Sequence, residues 1–136
     1  MFLDYAGIRV TQLRKSVRFF TKGLGLVELR RGTMGHGGVW VLLGDRVSHQ
    51  QLELNWYPKG SKYATPFIPG EGLDHLGVRV RSVEAAGRRL RAVGARKIFD
   101  FQYRRKKVVA YYEAPDGIWV ELIRTPELHS DDLEVA

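Results

Sequence analysis

Leu73-Asp74-His75-Leu76-Gly77-Val78-Arg79-Val80 repeats, with a few substitutions, the earlier stretch Leu3-Asp4-Tyr5-Ala6-Gly7-Ile8-Arg9-Val10. Leucine, aspartate, glycine, arginine and valine stand at the same places in both stretches. In each half a Ser-Val pair and a helical pattern follow, and the helical pattern ends at a glycine. The halves also end alike, in the alternating stretches Gln51-Leu52-Glu53-Leu54 and Trp119-Val120-Glu121-Leu122. The chain is therefore predicted to contain an internal duplication.

Each half of the duplication predicts one β-α-β-β-β unit. In the first half, a helix is expected near 13–23 and strands near 3–10, 25–31, 38–44 and 49–56. In the second half, a helix is expected near 82–93 and strands near 73–80, 95–102, 107–113 and 118–124. The chain divides accordingly into a first module (1–56), a linker (57–72), a second module (73–124) and an acidic C-terminal tail (125–136). Since such a unit leaves one sheet face uncovered, the predicted fold class is α+β, with two tandem modules forming an eight-stranded, incompletely closed barrel-like cavity.

Composition and charge restrict the classes of function. The chain has no cysteine, which excludes disulfides, thiolate metal sites and a cysteine nucleophile. No apolar run approaches the ~20 residues that a membrane helix needs, and the first residues lack the features of a signal peptide, so we expect a cytoplasmic protein without a membrane partner. The net charge of +7 comes without a nucleic-acid-binding motif, and therefore favours a small anionic partner over nucleic acid.

Three motifs, in a fixed order, carry a resemblance to a known family. They are Gln51-Leu52-Glu53-Leu54-Asn55-Trp56, Gly72-Leu73-Asp74-His75-Leu76-Gly77-Val78 and Ala114-Pro115-Asp116-Gly117-Ile118-Trp119-Val120-Glu121-Leu122. Together they resemble the vicinal-oxygen-chelate superfamily, and within it the glyoxalase I (lactoylglutathione lyase) group. The resemblance covers nearly the whole chain up to Arg124. It implies the glyoxalase/bleomycin-resistance type of fold and a divalent metal ion held between the two modules.

In that group the metal is held by one residue from the first strand of each module and one carboxylate from the last strand of each module. Carried over position by position, the resemblance implies Tyr5, Glu53, His75 and Glu121 as the ligand set. Two carboxylates and an imidazole suit Zn, Ni, Co, Mn or Fe. Tyr5 departs from the group, which has histidine or glutamine there, and a phenol with an ordinary pKa of about 10 is a poor metal ligand.

Strand alternation places the candidate substrate-binding residues on the same sheet faces as these ligands, because residues two apart share a face. The candidates are Arg9, Arg79, Asn55 and Trp119. Arg9 and Trp119 also match the resembling group, in which an arginine holds a carboxylate of glutathione. Tyr57 and Glu71 depart from the group's other glutathione contacts, so the use of glutathione stays open.

The resemblance implies a metal-dependent lyase or isomerase that transfers a proton next to a carbonyl, through a metal-chelated enediolate, on a small anionic substrate. Glu121 would be the catalytic base. Two alternatives stay open: a metal-free, ligand-sequestering protein of the drug-resistance type, and a coenzyme A thioester epimerase of the same superfamily. Homodimers are usual in the superfamily, and Phe19, Phe20, Trp40 and Trp56 are expected to offer apolar surface for one.

Overall fold

The computed structural model describes residues 4–61, 64, 68, 73 and 75–124. The elements of the first half are β1 (Ala6–Arg9), α1 (Leu13–Arg18), which continues into a π-helical turn (Phe19–Gly23), β2 (Val27–Thr33), β3 (Val39–Gly44) and β4 (Gln51–Trp56). Those of the second half are β5 (His75–Val80), α2 (Val83–Ala92), β6 (Arg96–Tyr103), β7 (Lys106–Glu113), a short 3₁₀ turn (Pro115–Gly117) and β8 (Trp119–Arg124). The order β-α-β-β-β therefore occurs twice, as the duplication predicts.

Two four-stranded mixed sheets form the architecture, in the orders β1-β4-β3-β2 and β5-β8-β7-β6. Each sheet pairs its first strand in parallel with its last strand, and the remaining pairs are antiparallel. Within the described residues, no strand of one sheet pairs with a strand of the other. The sheets are not closed into a barrel, which confirms the predicted fold class. The predicted limits of the modules stay a prediction, because most of 62–74 and all of 125–136 lie outside the described residues.

The hydrophobic core lies on the helix-covered sides of the sheets. Alternate strand residues point into it, including Leu52 and Leu54 of β4 and Val120 and Leu122 of β8, which are all buried. The residues between them, such as Glu53 and Glu121, are only partly buried and lie on the opposite face. We call this opposite face of each sheet its open face. The alternation thus places the apolar residues in the core and the candidate site residues on the two open faces.

The modules pack together mainly through α2 and the π-helical turn. Phe19 and Phe20 of that turn are 0% and 1% exposed, and their rings meet edge to face with centroids 5.1 Å apart. The expectation that these two residues form a dimer surface was wrong, because α2 of the second module covers the turn. Trp40 and Trp56 are half-buried.

Local signals explain where α2 begins and ends. Ser82 accepts a hydrogen bond from the backbone N–H of Ala85 (3.1 Å), as an N-cap should, and Glu84 lies in the first turn, where a negative charge complements the helix dipole. Gly94 ends the helix with φ +94°, a left-handed conformation that favours glycine. Across the described chain, no helix is long and apolar enough to span a bilayer.

Candidate metal and substrate site

His75 and Glu121 lie side by side on the open face of the second sheet. The parallel pairing of β5 with β8 sets His75 opposite Trp119 and Gly77 opposite Glu121. The His75 Nε2 atom lies 2.9 Å from the Glu121 Oε2 atom, and the two side chains are 31% and 17% exposed. An imidazole nitrogen and a carboxylate oxygen thus converge at a position that solvent and small ligands can reach. We call this pair the C-terminal half-site.

The first sheet holds the equivalent position. The parallel pairing of β1 with β4 sets Gly7 opposite Glu53, just as Gly77 faces Glu121 in the second sheet. Tyr5 stands one residue before β1 and is 44% exposed. It is the repeat equivalent of His75. We call Tyr5 and Glu53 the N-terminal half-site.

The two half-sites do not merge within one chain. In the described part of the chain, no three His, Asp or Glu side chains form a group that could hold a metal ion. His75 and Glu121 belong to one sheet and Glu53 to the other, and no ladder joins the two sheets where they are described. The structure therefore brings together two of the four predicted ligands. That all four hold one ion stays a prediction.

The predicted substrate-binding residues are divided in the same way. Arg9 is paired with Asn55 across the β1–β4 ladder, and a side chain at Gly7 would approach the Asn55 amide nitrogen to 3.1 Å, so glycine leaves room for that amide. Arg79 and Trp119 lie on the open face of the second sheet, in the rows that flank Glu121. The first strand of each sheet thus carries an arginine on the same face as the half-site.

A groove of ≈ 370 Å³ lies beside Arg9 at the edge of the first module. Its lining residues are Arg9, Val10, Thr11, Trp56, Tyr57, Lys59 and Ala64. The Trp56 indole N–H donates to the Thr11 carbonyl oxygen (3.2 Å), which holds one wall in place. Lys59 was missed by sequence reasoning because it lies in the predicted linker. The two cations on this groove suit an anionic group.

Aromatic rings extend the C-terminal half-site across the second sheet. The Tyr111 ring lies edge to face with the His75 ring (5.5 Å between centroids) and stacks on Phe99 (4.7 Å). Trp119 contacts both Tyr111 (6.0 Å) and Phe99 (6.1 Å). Sequence reasoning missed Tyr111 and Phe99, although strand alignment could have found them, since Phe99, Tyr111 and Glu121 are consecutive partners across β6, β7 and β8.

Comparison with known proteins identifies the family. A sequence profile described as "Glyoxalase/Bleomycin resistance protein/Dioxygenase superfamily" matches residues 2–122. The chain belongs to this superfamily. The match spans both modules, so the duplication and the two half-sites lie within it. The resemblance noted from the three sequence motifs is confirmed.

The proteins that resemble this chain are described by different functions. A probable lactoylglutathione lyase of Synechocystis sp. is 28% identical over 130 residues, covering 92% of this chain and 96% of that protein. The trypanothione-dependent glyoxalase I of Leishmania major has the same fold, with a TM-score of 0.74 and 23% identity over 91% of this chain and 87% of that one. TnmS3, an antibiotic-binding protein from Streptomyces sp., shares the fold with a TM-score of 0.63 and 18% identity, covering 93% and 97% of the two chains.

The residues of the two half-sites include donor atoms that suit a divalent metal ion. The C-terminal half-site offers one nitrogen and one oxygen donor at hydrogen-bond distance, and the N-terminal half-site offers a second carboxylate at the equivalent register position. Nitrogen and oxygen donors of this kind suit divalent ions of the first transition row and zinc.

Proposed function

We propose that this protein is a glyoxalase-like, metal-dependent lyase or isomerase that moves a proton next to the carbonyl group of a small anionic substrate. The observation that carries the proposal is the convergence of His75 and Glu121 at 2.9 Å, together with the equivalent placement of Glu53 in the other module. The sequence relationship to a probable lactoylglutathione lyase supports the same class of reaction.

Each proposed role follows from the chemistry of the side chain. Glu53, His75 and Glu121 would hold a divalent ion, which when bound supplies Lewis-acid stabilisation of negative charge that develops on oxygen. Glu121 would remove the proton from the carbon next to the carbonyl and return it to the neighbouring carbon. The 2.9 Å separation of the His75 Nε2 atom from the Glu121 carboxylate is short enough for both side chains to reach the same ion. Arg9 and Arg79 would attract the anionic end of the substrate, with Asn55 and Trp119 beside them.

We further propose that a homodimer completes the site. The half-sites lie on the open faces of two sheets whose other faces are occupied by the shared core, so a second copy can cover each open face. In a two-fold dimer, the N-terminal half-site of one protomer would face the C-terminal half-site of its partner, and two identical sites would form. We expect this dimer to act in the cytoplasm.

Subunit complementation tests the proposal. Glu53→Ala and Glu121→Ala should each be inactive when purified alone. When the two are mixed, unfolded and refolded together, half of the dimers are mixed dimers, and each contains one intact site. About a quarter of the parent activity should therefore return. No recovery from two correctly folded, dimeric variants would show that the site is not shared between protomers.

Elemental analysis of protein purified without chelator or affinity-tag nickel tests the metal. About one divalent ion per protomer is expected. A ligand-sequestering protein without turnover is the second candidate function. It is favoured by Tyr5, an exposed aromatic ring at a position where a histidine nitrogen or an amide oxygen would bind a metal ion better. A metal-free protein that binds small molecules without converting them would support this second candidate.

A further inference from the structure

Four aromatic side chains form a contiguous surface beside the C-terminal half-site, and we call it the aromatic platform. Its members are Phe99, Phe101, Tyr111 and Trp119. Phe99 remains 38% exposed and Phe101 56% exposed. Single exposed apolar residues are ordinary on protein surfaces, but contiguous apolar patches mark sites of interaction. The platform is therefore a candidate binding surface.

Strand register connects the platform to the candidate catalytic base. Gly77, Glu121, Tyr111 and Phe99 are successive partners across β5, β8, β7 and β6. Cross-strand partners lie on the same face of a sheet, about 4.8 Å apart from strand to strand. Phe99 is therefore about 10 Å from the Glu121 position, with the Tyr111 ring between them. A flat group bound at the half-site would extend along this row.

The fold does not require rings at these positions. In the first module, the same row of partners reads Gly7, Glu53, Leu42 and Arg30. Leu42 replaces Tyr111 and Arg30 replaces Phe99, although both sheets have the same strand order. The platform is consequently a feature of the second module alone. A purely structural role in the duplicated fold would be expected in both modules.

The two strands that carry the N-terminal half-site present polar side chains on the open face of the first sheet, whereas Leu42 and Trp40 of β3 supply its apolar part. Around its half-site, β1 and β4 present Arg9, Gln51, Glu53 and Asn55, which are polar or charged. If the second copy of the proposed dimer packed these polar side chains directly onto the exposed rings, it would remove them from water at a cost in free energy. A small ligand with its own ring avoids that cost, because aromatic pairs stack at centroid separations of about 4.5–7 Å.

We infer that the aromatic platform binds a planar aromatic group of the substrate, while the reacting oxygens lie at His75 and Glu121. The inference rests on the proposed function and names its substrate class: an aryl-substituted carbonyl compound with an anionic or oxygen-rich end. Phe99 and Phe101 would determine specificity without touching the reacting atoms. Arg79 lies in the same cross-strand row as Phe101, at the far edge of the sheet, where it would attract an anionic group.

Two hydroxamates that differ only in their apolar group provide the test. 2-Naphthohydroxamate and acetohydroxamate present the same pair of neighbouring oxygens, but only the first carries fused rings that reach toward Phe99. Isothermal titration of the zinc-loaded parent protein should show at least about tenfold tighter binding of the naphthyl compound. Equal affinities would overturn the inference and leave the platform as a surface for a second protein copy.

Two variants then test whether the preference for the naphthyl compound comes from the platform. Phe99→Ser and the more exposed Phe101→Ser should each reduce the naphthyl-to-methyl affinity ratio, by about three- to tenfold for Phe99→Ser. Tyr103→Ser is the matched control, because Tyr103 lies on the same strand at 61% exposure and packs near Arg104 rather than on the platform. Its ratio should stay at the parent value. An unchanged ratio in both folded phenylalanine variants would contradict the inference.

Titration of chelator-treated protein separates the two proposals. When zinc is removed, the affinity for acetohydroxamate should fall if the metal site is real, whereas the preference for naphthyl should persist if the platform binds the ring. Loss of metal dependence with a retained preference would reject the metal-dependent function and keep the platform. Loss of the naphthyl preference with retained metal dependence would reject the platform as a binding site and keep the metal-dependent function.

Discussion

The substitution Tyr5→His should create the metal ligand that the first module lacks. Tyr5 is the repeat equivalent of His75, and Glu53 is the repeat equivalent of Glu121. In the second module the histidine nitrogen lies 2.9 Å from its carboxylate. Because the two ladders have the same register, a histidine at position 5 is expected to approach Glu53 in the same way. Both half-sites would then offer one nitrogen and one oxygen donor.

The magnitude follows from the change in donor chemistry. A neutral imidazole nitrogen binds a divalent ion directly, whereas a phenol must first lose a proton, which ordinarily happens near pH 10. We therefore expect the parent to hold the ion through three side chains and water, and the variant to hold it through four side chains. A gain in affinity of at least tenfold, or about 1.4 kcal/mol, is expected at pH 7.

Competition against a chromophoric zinc chelator measures this gain in zinc affinity. The protein must be dimeric in the assay, because the proposed site spans two protomers. Tyr103→His is the matched control, since it places a histidine at a similarly exposed tyrosine position in the other module. It should not change the affinity of the site. A parent that already binds zinc as tightly as Tyr5→His would refute the reasoning and identify the phenol as a ligand.

Three further substitutions test the site and the fold. Glu121→Gln should abolish turnover while circular dichroism and the melting temperature stay close to those of the parent, since the side chain lies outside the core. Gly87→Ala should destabilise the protein by about 1–2 kcal/mol in urea unfolding, because the new Cβ would lie 2.2 Å from the Tyr112 hydroxyl, and Tyr112→Phe in the same chain should recover part of the loss. Asp45 accepts hydrogen bonds from the backbone N–H groups of Ser48 and Val47, which hold the pKa of its carboxyl below the ordinary 3.8. Asp45→Ala should cost about 1 kcal/mol at pH 7, and the difference should shrink as the pH falls below about 4, because the parent carboxylate is then protonated and loses its advantage.

The helices and strands could be predicted from the sequence because their signals are local. Alternation in Gln51–Trp56 and Trp119–Arg124 predicted the apolar face of each last strand, whereas its parallel pairing with the first strand came from the structure. The single helix predicted at 13–23 is α1 followed by a π-helical turn in the structure. Local periodicity does not distinguish these two kinds of helix. Likewise, the pairing of His75 with Glu121 follows from register once the two strands are known to be neighbours.

The amino-acid sequence by itself determined the duplication, the two sheet patterns, the family and the residue types of the half-sites. Only the tertiary structure decided that Phe19 and Phe20 belong to the core, that Glu53 does not form one group with His75 and Glu121 in the described chain, and that Phe99 and Tyr111 extend the row of Glu121. The physical reason is the range of the interactions. Hydrophobic alternation specifies which face of a strand is apolar, whereas packing between distant segments decides which surface covers that face.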